Sequence, residues 1–553
     1  MAAVQSRIGV IFASLFVLLA LAALRTAYLG VFRAPALRKA ASEEQTAEQT
    51  VTAQRGAITD RNGADLAVSE PAKDLVADPY LLRDPLAAAA KLAPLLGESQ
   101  AKVLRKLTER TGFVYLARGV PARQAEQVLA LRLPGVTGSP VMHRVYPRGE
   151  LAAQVLGEVG TEGRGLSGLE LSWNTILAGR SGARRVVSDA KGQPVSISEP
   201  HQEVPGQSLQ LTLDSNIQQR TEDVLQAVAQ NFTPKDATAI VMDPRTGSIL
   251  AMANWPRENA NEAGAAGIEA MRDRAVGFPY EPGSTFKVVA FSGALQQGLI
   301  TPESGFNVPD QIQVADRTIH DDTEHGEETL SASQILARSS NVGTIEIGKL
   351  EGAERFNYWV RRFGFGSATG VELPGEEPGV TLALDHYSGS SMGNLPIGQG
   401  ELVTPIQMAA AYSTIADGGI LHRPHIVASV GGRPRRQPAG RRVISAATAA
   451  EVRHMLEGVL GPEGTASEVS IPGYTLAGKT GTASKVDPVT HEYSKTAYVA
   501  SFIGFAPAND PKLLCAVVVD EPQNGSIFGG TVAAPAFGQI MSFALPYMGV
   551  PPS

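Results

Sequence analysis

The chain has 553 residues, several times the roughly 150 of a typical domain, so it holds more than one folded module. Its 48 Lys and Arg against 55 Asp and Glu leave a net charge of −7, without the basic excess that holds a phosphate backbone, which excludes nucleic acid as a main partner. One cysteine, Cys515, excludes an internal disulfide, Cys-based zinc sites and iron–sulfur clusters, and no metal or other cofactor is expected. Its setting in the apolar run Leu513 to Val517 reads as core packing.

In chain order, residues 1–7 form a short tail, read as cytoplasmic, before an uncharged apolar run from Ile8 to Leu24. That run is at the lower edge of spanning length, and if Arg25 snorkels the anchor extends over residues 8–32. The small residues Ala20 to Ala23 resemble a signal-peptide cleavage site, but the longer apolar stretch favours an uncleaved anchor. Arg7 alone precedes the span while Arg25, Arg33, Arg38 and Lys39 follow it, so the positive-inside rule points the bulk of the chain inward. The chemistry read below places it outside. Residues 33–50 read as a polar stalk or short helix.

A first module spans 51–205. The segment Arg55 to Gly63 starts like a strand and ends in Asn-Gly, a strong hairpin signal that returns the chain into Leu66-Ala67-Val68. Residues 84–133 carry apolar residues at three- and four-residue spacing and predict helices. The segments Arg144 to Gly149 and Gly165 to Glu170 bring glycines that imply turns. A second module spans 206–547. It opens with a strand (209–213), a helix (215–228) and a hairpin (238–242 with 248–253), and it closes with strands at 498–505 and 513–519. Strands at both ends with helices between predict an α+β domain whose central sheet closes only when the termini meet.

Three short motifs carry chemistry. Ser284-Thr285-Phe286-Lys287 opens an apolar helical run, and positions i and i+3 share a helix face, so the Lys287 amine is in reach of the Ser284 hydroxyl. Serine needs a base before it attacks, and a lysine serves if a partly desolvated, cation-lined pocket lowers its pKa. Ser339-Ser340-Asn341 follows 55 residues on, after a predicted helix over 330–338, and offers a hydroxyl and a carboxamide to hold that lysine and a substrate amide. Lys479-Thr480-Gly481-Thr482 ends a strand-like stretch, with a cation and hydroxyls for a carboxylate and a glycine for close backbone approach. His320, Asp321, Asp322, Glu324 and His325 would make an imaginable metal cluster, but a solvated acidic loop is the plainer reading. Arg433, Arg435, Arg436, Arg441 and Arg442 read as a solvated basic hairpin tip, with contact to an anionic polymer as a second reading.

In this order the three motifs resemble the penicillin-binding proteins. The N-terminal segments around Arg55, Arg144 and Gly165 look like the class B module, a dimerisation or pedestal domain. The segments Asp243 to Ala253, Gly398 to Gly400 and Thr404 to Tyr412 look like the transpeptidase domain, of the serine β-lactamase-like fold with an antiparallel sheet flanked by helices. The closing segments Tyr498 to Pro507 and Gly529 to Pro535 are similar to the FtsI and SpoVD types. Arg272-Asp273-Arg274 departs from the Asn-Arg usual there, without touching the catalytic motifs.

The resemblance implies a peptidoglycan D,D-transpeptidase of the bacterial inner or plasma membrane, single-pass, with its catalytic part extracytoplasmic. Ser284 would be the nucleophile and Lys287 its base. Ser339 would pass a proton to the departing D-Ala, and Asn341 would hold the donor peptide. Lys479, Thr480, Gly481 and Thr482 would form the carboxylate-binding strand. Partners implied are stem peptides, β-lactams, a SEDS-type (FtsW-like) glycan polymerase and other division proteins. A division role leads, with elongation or sporulation as alternatives. Other readings are a β-lactamase or carboxypeptidase, against which the large first module and the anchor argue, and a penicillin-sensing receptor or assembly scaffold.

Overall fold

In the computed structural model, described over residues 2–34, 46–188, 194–262, 264, 267, 269–487, 489–490 and 492–552, the chain divides into two compact units. The first unit joins residues 1–54 with 179–206. Its helix Ala2–Ala27 runs through Arg25 without a break and ends in the π-helical turn Tyr28–Phe32. Arg7–Phe32 is 26 residues with a mean hydropathy of 2.4, and its side chains are exposed. It is the one helix among the described residues long and apolar enough to cross a membrane, at about 1.5 Å per residue against a hydrocarbon core of about 30 Å. Of the polar segment read as a stalk or short helix, residues 35–45 lie outside the described residues; its last part forms the strand Thr46–Val51, which pairs with Gly182–Ser188, which pairs with Pro194–His201.

The second unit joins Arg55–Ala178 with Gln207–Ser553, so a sheet crosses the expected boundary near residue 206. The hairpin read at Asn62-Gly63 forms between Ile58–Thr59 and Asp65–Ala77, and Ile58–Thr59 also pairs in parallel with Leu209–Leu211. Residues 84–133 are not all helical. Helices Pro85–Leu96, Gln100–Leu107 and Ala122–Leu129 flank a strand, Val114–Pro121, that adds to the edge of Asp65–Ala77. The non-local pairing of that strand has no counterpart in the local spacing of its apolar residues.

Three N-terminal motifs meet in one buried ion cluster. The fully buried Glu170 carboxylate accepts from Arg55 Nε at 2.5 Å and from Arg144 Nε at 2.7 Å. Arg55 also donates to the Glu170 carbonyl and to Asn174 Oδ1, and Arg144 to the Gly56 carbonyl. Two guanidiniums on one carboxylate, with further acceptors on the main chain and on Asn174, offset the cost of taking the charges out of water. Asp60 then ties the hairpin to the following helix by accepting from Ser215 Oγ at 2.7 Å.

The C-terminal core is a five-stranded antiparallel sheet. Its strands are β1 (Asp236–Met242), β2 (Ile249–Trp255), β3 (Ala477–Val486), β4 (Tyr493–Ala506) and β5 (Leu513–Asp520), in the order β2-β1-β5-β4-β3. The β1–β5 pairing joins the two ends of the domain, with Val241 opposite Cys515. Every residue of β5 is buried, so both faces of the sheet are covered. The covering helices are α1 (Ser215–Phe232), α2 (Lys287–Gln296), α3 (Ala332–Arg338), α4 (Asn341–Glu351), α5 (Pro405–Ala416) and α6 (Ala534–Tyr547). Helices α1 and α6 pack on each other and on the sheet, α5 packs on β1, β4 and β5, and α2 packs on α4. Cys515 is buried with its thiol pushed upward by burial, as a core residue.

Replacing Glu170 by Ala leaves Arg55 and Arg144 buried without their counter-charge. The expected result is a loss of about 3–5 kcal/mol in denaturant unfolding of the ectodomain, larger than for an exposed pair such as Arg184–Glu199.

Candidate active site

The nucleophile candidate lies where a tight turn enters a buried helix. Ser284 sits half-buried in the 3-10 turn Gly283–Phe286, whose end runs directly into α2. Residues i and i+3 eclipse in such a turn, which sets Ser284 and Lys287 on one side. Residues Lys287–Leu295 of α2 are all buried, which is why this run is apolar without an amphipathic period.

Lys287 is fully buried, yet its amine does not bond Ser284. Nζ donates to the Ser339 carbonyl, to Ser339 Oγ at 3.2 Å and to Asn341 Oδ1 at 2.8 Å. Burial lowers the Lys287 pKa to about 8, against the opposing pull of Asp322 and Asp321. The Lys287 hydrogen bonds thus all go to the Ser339–Asn341 corner. An ammonium taken out of water needs several acceptors, and that corner supplies three.

The corner is itself a strained joint. Ser339 ends α3 with φ +64°, a left-handed conformation rare for a residue other than glycine, and Ser340 caps α4. The residue that holds this joint was legible only as part of an acidic loop. Asp321 is mostly buried, and its carboxylate accepts from Ser340 Oγ at 2.7 Å, from the Asn341 main-chain N–H and from the Val342 N–H at 2.9 Å. His325 Nε2 lies 3.1 Å from the same carboxylate. No metal-holding group occurs among the described residues, and Asp321 serves as a cap for α4 instead of solvating a loop.

The third motif sits inside β3, which begins at Ala477, two residues before Lys479, and runs to Val486; it does not end a strand. Lys479 is fully buried, and burial together with the Lys287 charge pushes its ammonium well down. Its Nζ donates weakly to the Thr480 carbonyl at 3.3 Å and to Thr480 Oγ1 at 3.4 Å. Thr480 Oγ1 lies 2.6 Å from Thr465 Oγ1, a contact that no motif announced, and Thr482 Oγ1 accepts from the Gly529 N–H. Beside Ser339 and Thr465 opens a cavity of about 310 Å³, lined also by Asp321, His325, Arg338 and Glu463.

Two glycines allow these backbones to meet. A Cβ on Gly481 would lie 2.5 Å from Ser501 Oγ and 3.0 Å from the Pro282 carbonyl, so only glycine lets β3 run alongside the nucleophile turn. A Cβ on Gly398 would lie 2.2 Å from the Gly283 carbonyl, and the Gly398 carbonyl accepts from the Gly283 N–H. Behind the turn, the Tyr412 hydroxyl donates to the Thr285 carbonyl at 2.8 Å. A serine near a desolvated lysine, a shared hydroxyl–carboxamide corner and a buried lysine on a neighbouring strand are the groups that nucleophilic acyl transfer by a serine requires.

Comparison with known proteins agrees with this class. A penicillin binding protein transpeptidase domain matches residues 237–542, and a penicillin-binding protein dimerisation domain matches residues 50–211. The chain therefore belongs to the penicillin-binding protein transpeptidases, and within them to class B. It is 35% identical to penicillin-binding protein PbpB of Mycobacterium tuberculosis, over 98% of this chain and 84% of the relative. It is 34% identical to peptidoglycan D,D-transpeptidase FtsI of Escherichia coli K12 (97% and 91%) and 33% to stage V sporulation protein D of Bacillus subtilis (90% and 79%). The crystal structure of penicillin binding protein 3 of M. tuberculosis complexed with ampicillin is similar with a TM-score of 0.73 and 30% identity, over 91% of this chain and 97% of that one.

Substituting Gly481 by Ala pushes β3 away from the Pro282–Ser284 backbone. The rate of covalent trapping by a labelled penicillin is expected to fall by roughly a hundredfold, while the overpacking costs only about 1–3 kcal/mol in denaturant unfolding.

Proposed function

We propose that this protein is a membrane-anchored peptidoglycan D,D-transpeptidase that cross-links stem peptides through an acyl-enzyme on Ser284. The observation that carries the reading is the burial of two lysines from distant motifs beside the turn that holds Ser284: Lys287, bonded to the Ser339–Asn341 corner, and Lys479, close enough for the Lys287 charge to depress it.

The steps follow from the charges. A donor stem ending in D-Ala-D-Ala lays its carboxylate on Lys479, with Thr480 and Thr482 as hydrogen-bond donors along β3. The carboxylate gives Lys479 the counter-charge it lacks and keeps it cationic. That cation disfavours a second proton on Lys287, which is then neutral and able to act as base. Ser284 Oγ attacks the penultimate D-Ala carbonyl and its proton passes to Lys287. Main-chain N–H groups of Ser284 and Thr482 receive the oxyanion. Asn341 holds the donor's peptide bond and Ser339 passes the proton to the departing D-Ala amine. An acceptor amine then attacks the ester, forms the new amide, gives up a proton and frees Ser284. A β-lactam enters as the donor does, and no motif of this chain corresponds to the deacylating glutamate of class A β-lactamases, which supports slow release.

The helix Arg7–Phe32 supports single-pass anchoring. The catalytic part is placed outside the cytoplasm, where the wall substrate is, against the count of flanking charges. We place the enzyme at the division septum, in complex with a SEDS-type (FtsW-like) glycan polymerase and other division proteins. The likeness to FtsI over nearly the whole chain supports that role, and the likeness to stage V sporulation protein D keeps a sporulation role as the second reading. A fluorescent fusion is expected at midcell during growth; confinement to sporulating cells would favour the second reading.

Incubation of the ectodomain with a labelled penicillin is expected to yield one covalent adduct that peptide mapping assigns to Ser284, absent from Ser284→Ala. An adduct elsewhere, or none on folded protein, sinks the assignment. Because the Lys287 pKa is lowered to about 8 and the neutral amine is the base, acylation is expected to slow about tenfold per pH unit below that value and to level off above it. A flat stopped-flow profile between pH 6 and 9 would remove Lys287 from the role.

A further inference from the structure

The stretch from Gly418 to Ala450 holds six arginines and two histidines and not one Asp or Glu, in a chain whose net charge is −7. In space it meets Arg362. Among the described residues, only Arg435 of these arginines has a carboxylate within ion-pair distance, Glu372. The others that are held at all are held by main-chain carbonyls. Arg362 donates to the Arg442 carbonyl at 2.7 Å, Arg441 to the Arg362 carbonyl at 2.8 Å, Arg442 to the Gly418 carbonyl at 2.9 Å, and Arg423 to the Gly370 carbonyl. Carbonyls orient these guanidiniums without neutralising them, and the mutual repulsion of Arg362 and Arg441 is left standing.

Within this basic surface lies a cavity of about 260 Å³. Its floor is apolar, from Phe363, Ala410, Leu421 and Pro424, and its polar lining includes Arg423 and Arg441. Thr369, also in the lining, has its N–H and hydroxyl bonded to Glu376, and the lining His422 is paired with Asp417 at 2.7 Å, so both nearby carboxylates are occupied locally. The volume falls below the roughly 300 Å³ where drug-sized pockets begin, so it suits one or two small residues. Two exposed guanidiniums over small apolar walls suit a carboxylate carried on short aliphatic side chains.

We propose that this cavity is a second, non-covalent site for the carboxylate end of an alanine-terminated stem peptide. Resting on the transpeptidase reading above, it gives the same glycan strand two points of attachment: one stem enters at Ser284 while another stem of that strand docks at Arg423 and Arg441. A strand held at two points is retained between successive reactions, because the second contact is intramolecular. The two partners are a guanidinium and a carboxylate, so the attraction is weakened by salt.

The test uses the ectodomain with Ser284 first blocked by penicillin, and titrates it with a D-alanyl-D-alanine peptide bearing a free carboxylate. Binding is expected to remain in the blocked protein, to be absent for the peptide's C-terminal amide, and to weaken about tenfold or more in Arg423→Gln and in Arg441→Gln. Both variants should still be acylated by penicillin at the wild-type rate, which reports that they fold. Binding that is unaffected by these substitutions, or equal for the amide, overturns the proposal. Displacement of the peptide by an equal concentration of inorganic phosphate overturns the peptide assignment in favour of a general anion site. The adduct mass reports on Ser284 separately, and if none forms, the same titration of unblocked protein against the two variants still decides the cavity's role.

Discussion

An amine without water must find acceptors, and in this protein the need of Lys287 organises everything around it. Its helix is buried on all sides, so the side chain cannot turn to solvent, and its three hydrogen bonds all go to residues 339 and 341. Those residues can serve only if α3 stops and α4 starts at one sharp joint. The left-handed backbone of Ser339 makes that joint, and the Asp321 carboxylate beneath the first turn of α4 holds it. Strain at Ser339 is retained because the bonds on both sides over-determine its position.

A second buried amine, Lys479, makes the same pocket more demanding. Burial lowers the proton affinity of both amines, the Lys287 charge depresses Lys479 further, and among the described residues neither has a carboxylate in direct contact. A site that is under-neutralised by itself is suited to a substrate that brings its own negative charge. The protein keeps this arrangement compact by excluding side chains where backbones cross. Gly481 lies against the Pro282 carbonyl and Gly398 against the Gly283 carbonyl, so the nucleophile turn is held between β3 and the loop that precedes α5.

The N-terminal part repeats this logic with reversed sign. There one buried carboxylate, Glu170, collects two arginines from segments 115 and 26 residues away. That cluster explains why three separated motifs stand in the first part of the chain. Asp60 extends it to α1 through Ser215, so the hairpin and the C-terminal core share one unit. Apart from Arg435, which pairs with Glu372, the arginines of 418–450 follow neither pattern, since those that are held have main-chain partners alone.

Much of this was legible in the residues. The helix near the N-terminus, the Asn62-Gly63 hairpin, strands β1, β2, β4 and β5 of the C-terminal sheet and the order of the three motifs all follow from local pattern, because apolar spacing and turn chemistry act over a few residues. Ser284, Lys287 and Lys479 could be named for the same reason: a nucleophile, a base and a cation have chemical signatures. What Lys287 bonds, why Asp321 is present, where β3 begins and how Val114–Pro121 joins its sheet depend on contacts between segments far apart in the chain. The sequence by itself determined which groups are the candidates for the chemistry. Only the tertiary structure decided their partners, since burial, not spacing, dictates which acceptors a desolvated amine must find.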